Sequence, residues 1–199
     1  MKAKDIIGQI LDGRLAPELK RAGFRKRAFR FFRRKGAVEQ EIRLHLSSCN
    51  WGSTGSFTVH VTLQFDEMWC EPEPRRSLAK GGYGDFYAEI GILLPGVPRL
   101  FDVDRTIPIE AASERLATWV MEGLVAPLDR VESLADFEAT GWKDVIPWAF
   151  PTRFAYHMGR DDEAARLVRV EADFFADRGL TEEEIIERYR LHRLRERSA

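Results

Sequence analysis

The sequence predicts an α+β fold: an antiparallel sheet of about four strands with helices packed on one face, plus a C-terminal helical segment. Three observations predict it. Between Phe24 and Leu94 apolar residues recur at every second position in four stretches, the period of a half-buried strand. Beyond Pro108 they recur every three to four residues, the period of an amphipathic helix. The strand-like stretches form one block and most helical ones another, which is the order of an α+β chain. We read residues 1–145 as the α+β domain and 146–199 as a helical extension packed on or beside it.

Each element follows from local signals. Ile6, Ile7, Ile10 and Leu11 share a helical face over Ala3–Leu11. Pro17–Ala22 reads as a second short helix, with proline at its first turn and Gly23 as its stop. Phe29 and Phe31 alternate with Arg30 in a basic strand from Phe24 to Arg34, and Lys35-Gly36 is a turn. Val38, Gln40, Ile42, Leu44 and Leu46 then alternate with charged residues, and Phe57, Val59, Val61, Leu63 and Phe65 do so again after a Ser/Gly-rich loop. Asp66–Asp85 is a long loop, and loops of that length are functional or mobile. Phe86–Leu94 gives the fourth alternation.

The helical block starts with Ile109, Leu116, Trp119, Val120 and Leu124 on one face, ended by Pro127. Ser133–Asp136 opens a short helix that Gly141 closes. Pro151 starts another that Gly159 stops, and Asp161 or Asp162 caps the next, with Ala164, Leu167, Val168 and Phe175 inward. Thr181–Glu184 is a capping box with a Leu180–Ile185 staple, and the last helix ends in Arg193, Arg195 and Arg197.

Composition narrows the class. A hydrophobic fraction of 44% with a net charge of −1 excludes intrinsic disorder. No run reaches the ~18 apolar residues of a membrane span, and the first residues are too polar for a signal-peptide core. The expectation is a cytoplasmic protein without a membrane partner, with Cys49 and Cys70 reduced. The charge is lopsided: residues 1–50 carry 13 Lys/Arg against 5 Asp/Glu, a balance of +8, which leaves −9 for the remainder. Such a chain can take an anionic partner at its basic end, unless the two halves neutralise each other within the fold.

Three pieces carry a family resemblance: Leu19–Arg27, which leads into the aromatic-basic strand; Val38–Ile42; and Trp51–Phe57. Over roughly residues 1–125 the chain resembles the bacterial domain-of-unknown-function family 4304. The resemblance implies an α+β fold and a bacterial cytoplasmic setting. It implies no activity, so no catalytic residue comes with it.

Four constellations are candidates for function. Arg25, Lys26, Arg27, Arg30, Arg33 and Arg34 lie among Phe24, Phe29, Phe31 and Phe32, where cations contact phosphates and exposed aromatics stack on unpaired bases. The alternative is a guarded sheet edge, with Arg30 or Arg33 paired to Glu39 or Glu41 across the hairpin. His45 and His60 fall on polar strand faces and with Glu41 offer three metal ligands; solvent-facing histidines are the alternative. Cys49 sits in a loop flanked by those histidines, the parts of a hydrolase-like Cys–His pair, although the loop carries no nucleophile-elbow or cysteine-protease signature. Trp69, Arg75 and Arg76 in the long loop, with Trp51 in the hairpin loop, are residue types that anchor protein interfaces.

With no catalytic signature in view, the expected function is a non-enzymatic protein-interaction module, an adaptor or toxin-neutralising partner. Nucleic-acid binding through residues 24–35 comes second, and hydrolysis using Cys49, His45 and His60 third. No cofactor and no metal are expected.

Overall fold

The computed structural model describes residues 1–69, 74–145 and 149–196. The chain opens with α1 (Ala3–Ile10), which continues through a π-helical turn at Leu11–Leu15 into α2 (Ala16–Arg21). The spacing predicts two helices here; the structure joins them. A proline inside a helix has no N–H for the preceding turn, and its ring crowds that turn's carbonyl. Pro17 is accommodated because the turn before it is widened, the Ala16 N–H reaching back to the Leu11 carbonyl.

Strands β1 (Arg25–Arg27), β2 (Arg30–Lys35), β3 (Val38–Leu46), β4 (Gly55–Phe65) and β5 (Phe86–Glu89) lie side by side in chain order, all antiparallel. A sixth strand, β6 (Phe101–Val103), pairs with the first residues of β4 along the same edge as β5. Among the described residues the sheet thus has six strands, against the expected four or so. The basic stretch is a hairpin, folding back at Ala28, which takes φ 53°. The fourth alternation stops at Glu89, and Ile90–Leu93 form a helical turn, α3. Ile90 and Leu93, three apart, are both buried by that turn, so it satisfies the same apolar residues.

One sheet face is apolar. Phe57, Val59, Val61, Leu63 and Phe65 of β4 and Val38, Ile42 and Leu44 of β3 are buried there. Over it lie α1 and a second π-interrupted helix: α4 (Ile109–Val120), a π turn at Met121–Val125, and α5 (Ala126–Leu128). Pro127 therefore lies within the helix it is predicted to end, for the same reason as Pro17. Gly13–Pro17 and Gly123–Pro127 share the pattern Gly-x-x-Ala-Pro and the same i to i−5 bond. Gly13 also lets the helices approach: a Cβ there would lie 2.7 Å from the Ser113 hydroxyl of α4.

Among the described residues the remaining α-helices are α6 (Leu134–Glu138), α7 (Ala149–His157), α8 (Asp161–Phe174), α9 (Glu182–Tyr189) and α10 (His192–Glu196). α7 faces two ways. Phe150 and Phe154 belong to the main core, while Ala155 and Tyr156 join Ala164, Val168, Ile185 and Leu191 in a second cluster. The expected last helix breaks at Arg190, which is left-handed at φ 57°, and Arg197 lies outside the described residues. Phe175, expected inward on α8, falls just past its end and is half-buried. Among the described residues, no helix is long and apolar enough to cross a membrane.

Candidate interaction site

The long loop after β4 folds back over the polar end of that strand, and two side chains of the sheet end hold it there. Gln64, on the polar face of β4, is buried, and its amide donates to the carbonyls of Arg76 (3.2 Å) and Tyr83 (2.7 Å). Asp85, whose side chain is 1% exposed, accepts from the Phe65 N–H (2.8 Å), from Arg75 through both oxygens (2.7 Å each) and from Arg153 of α7 (3.1 Å). The Arg75 guanidinium also donates to the Phe65 carbonyl (2.9 Å) and lies 5.0 Å from the centre of the Trp69 ring. A planar guanidinium gripped on its edge by a carboxylate and on its face by an indole has little freedom left.

These bonds shape a small socket of about 200 Å³, lined by Trp69, Arg75, Arg76, Gly81, Gly82 and Tyr83. Gly82 belongs there for steric reasons, because a Cβ would sit 1.8 Å from the Arg76 carbonyl oxygen. Tyr83 stands on the rim 91% exposed, and Arg76 is exposed beside it. Its rim therefore offers a tyrosine and an arginine over a rigid floor, with one arginine neutralised by Asp85.

The structure brings Trp69, Arg75 and Arg76 together but leaves Trp51 apart. Trp51, 80% exposed, is in the β3–β4 hairpin loop, held by reciprocal backbone bonds with Thr54. β4 runs between the two places, and its 11 residues span roughly 35 Å at ~3.3 Å per residue. Arg75, predicted as a contact, has a supporting place instead, its side chain 13% exposed. Cys70 to Glu73, part of the predicted loop site, lie outside the described residues.

The basic stretch divides in two. On β2 the cations are met within the fold: Arg30 by Glu41 (2.6 and 3.1 Å), Arg33 by Gln40 and Asp129, Arg34 by Glu39 and Asp66. Arg33, whose side chain is 5% exposed, points to the helical face, and burial holds its guanidinium below its ordinary range. Lys26 pairs with Asp12, and Arg27 donates to the Ala79 carbonyl (3.3 Å). Arg25 is exposed and has no carboxylate partner among the described residues. Phe24 and Phe31 are buried and Phe29 and Phe32 half-buried, with the Arg30 guanidinium over the Phe32 ring at 4.7 Å.

His45 and His60 share the polar sheet face, their rings stacked with centroids 5.5 Å apart. Both His60 nitrogens are engaged, Nε2 by Thr58 Oγ1 (2.6 Å) and Nδ1 by the Tyr87 hydroxyl. Burial pushes the His60 imidazole down to about 4, and burial with Glu89 raises Tyr87. The neutral ring then accepts from one hydroxyl and donates to the other. Glu41 is committed to Arg30, so the predicted Glu41–His45–His60 ligand set is not assembled; no group of three ligating side chains is gathered among the described residues. Cys49 is exposed, its N–H on Ser47 Oγ (3.1 Å), and His60 has no nitrogen to spare for it.

Sequence reasoning misses Tyr83, Gln64, Asp85 and Arg153. The Gly81-Gly82-Tyr83-Gly84 run was the available signal for the first, an aromatic set between residues that let the backbone come close. Gln64, Asp85 and Arg153 come together only in the fold. Searches of family models, of curated proteins and of solved structures match nothing to the chain.

Proposed function

We propose that this chain is a non-enzymatic protein-interaction module, and that the Trp69–Arg76–Tyr83 socket is its contact surface. The observation that carries the reading is the pairing of a fully exposed tyrosine with a socket whose floor is immobilised by Asp85 and Gln64. Tryptophan, tyrosine and arginine dominate the energetics of protein interfaces, and a preorganised site loses less freedom on binding. An adaptor or toxin-neutralising role in a bacterial cytoplasm fits such a module; the family resemblance over residues 1–125 adds no activity to it.

The test is affinity capture from source-cell extract with the parent protein and a Tyr83→Ala/Arg76→Ala variant, read by quantitative mass spectrometry. One or a few proteins retained by the parent and lost from the variant support the reading. A capture profile that the variant leaves unchanged refutes it.

A further inference from the structure

Residues 20–27 read Lys-Arg-Ala-Gly-Phe-Arg-Lys-Arg, and the fold treats their charges differently from those of β2. Lys20, Arg21 and Arg25 are exposed, and none has a carboxylate partner among the described residues. They surround the turn between α2 and β1. Beside that turn lies an open groove of about 830 Å³. Its floor is apolar, its accessible part made by Ala16 and Pro17 above the buried Phe24 and Phe31, and its rim carries Lys20, Arg25 and the Lys26–Asp12 pair. A surface left cationic while the adjacent strand is neutralised is complementary to an anion.

We propose that this groove docks an acidic protein segment, one that places an apolar side chain against Ala16 and Pro17 and carboxylates against Lys20 and Arg25. Three features select this occupant. A groove of that size is far larger than an inorganic anion. Single-stranded nucleic acid binds by stacking bases on exposed aromatic faces, and Phe24 and Phe31 are only 3% and 1% exposed. An anionic membrane is entered by protruding apolar side chains, and no large apolar side chain between residues 16 and 31 protrudes. A recessed apolar floor inside a cationic rim instead receives a side chain presented from outside, flanked by acids. The groove stands independently of the socket, since the two share no lining residue.

The experiment uses the full chain and defined probes in fluorescence anisotropy and vesicle flotation. These are poly-L-glutamate, a random glutamate–tyrosine copolymer of similar charge, oligothymidylate, and phosphatidylcholine vesicles containing phosphatidylserine. The copolymer is expected to bind tighter than poly-L-glutamate and tighter than the oligonucleotide, with no recruitment to vesicles. Lys20→Glu/Arg25→Glu is expected to weaken copolymer binding by about tenfold, the effect of turning two modest ion-pair attractions into repulsions, with circular dichroism unchanged. Equal affinity for the two polymers removes the apolar floor from the account. Tighter oligonucleotide binding or vesicle recruitment that the variant abolishes overturns it in favour of those partners, and copolymer binding that the variant does not alter overturns it outright.

Discussion

Replacing Asp85 with Ala removes the centre on which the socket is built. The carboxylate is 1% exposed and accepts from two arginines and a backbone amide, while the Arg75 side chain is 13% and the Arg153 side chain 26% exposed. Losing one partner of a buried ion pair costs ~3–5 kcal/mol, because the other charge remains in a poorly solvated place. Arg153 can turn toward water and recover part of this, so the expected loss is about 3 kcal/mol. For a chain of this length ~1 kcal/mol moves Tm by roughly 2–4 °C, giving a drop of roughly 6–12 °C. Urea unfolding and a thermal scan by circular dichroism read both numbers. Tyr83→Ala is the control: its side chain is 91% exposed and its loss should leave stability where it was. A loss under ~1 kcal/mol, the worth of a surface pair, would refute the claim that Asp85 braces the loop.

Other outcomes follow from the same reasoning. Thr181→Ala removes an N-cap that accepts from the Glu184 N–H (3.2 Å) and should cost about 1 kcal/mol in urea unfolding; unchanged unfolding would show that α9 does not depend on its cap. Ala28 sits at φ 53° in the β1–β2 turn, where glycine carries no Cβ penalty, so Ala28→Gly should stabilise by roughly 0.5 kcal/mol despite glycine's greater unfolded freedom. Burial holds the His60 and His157 imidazoles at about 4, below the ordinary 6.5. The unfolded chain therefore binds more protons between those values, and stability should be full above about pH 6.5 and decline as pH falls toward about 4. His60→Gln should flatten part of that decline in urea midpoints measured across the window, whereas a decline as steep as the parent's would show that His60 is not held neutral. Gly82→Ala, whose methyl meets the Arg76 carbonyl at 1.8 Å, should lower stability by about 1–3 kcal/mol and alter Trp69 fluorescence.

The sheet was legible because its long strands each bury one face. β3 and β4 carry four or more alternating apolar residues, and both fall on the expected side. β6 was not legible, since three residues cannot display a period, and its pairing with Gly55–Phe57 depends on a chain return that no local signal announces. The two prolines misled for a definite reason: Pro17 and Pro127 stop an α-helix but not one with a π turn just before them. At the socket, Trp69, Arg75 and Arg76 were visible as residue types, but the division of labour was not. Arg75 becomes structural only because Asp85, ten residues on, and Arg153, from a distant helix, arrive at the same point. The basic strand shows the same limit, since Asp129 and Asp66, which meet Arg33 and Arg34, lie 96 and 32 residues further along the chain.

The central claim, that the socket is where a partner binds, is tested most directly by a photo-crosslinking residue placed at position 83, with matched proteins carrying it at positions 51 and 170. All three sites are exposed, Tyr83 at 91%, Trp51 at 80% and Val170 at 45%. In source-cell extract, crosslinks to a discrete protein are expected from position 83, lost on adding Asp85→Ala, and not from the other two. Crosslinks of equal yield from all three positions, or from position 51 or 170 but not 83, would contradict the account.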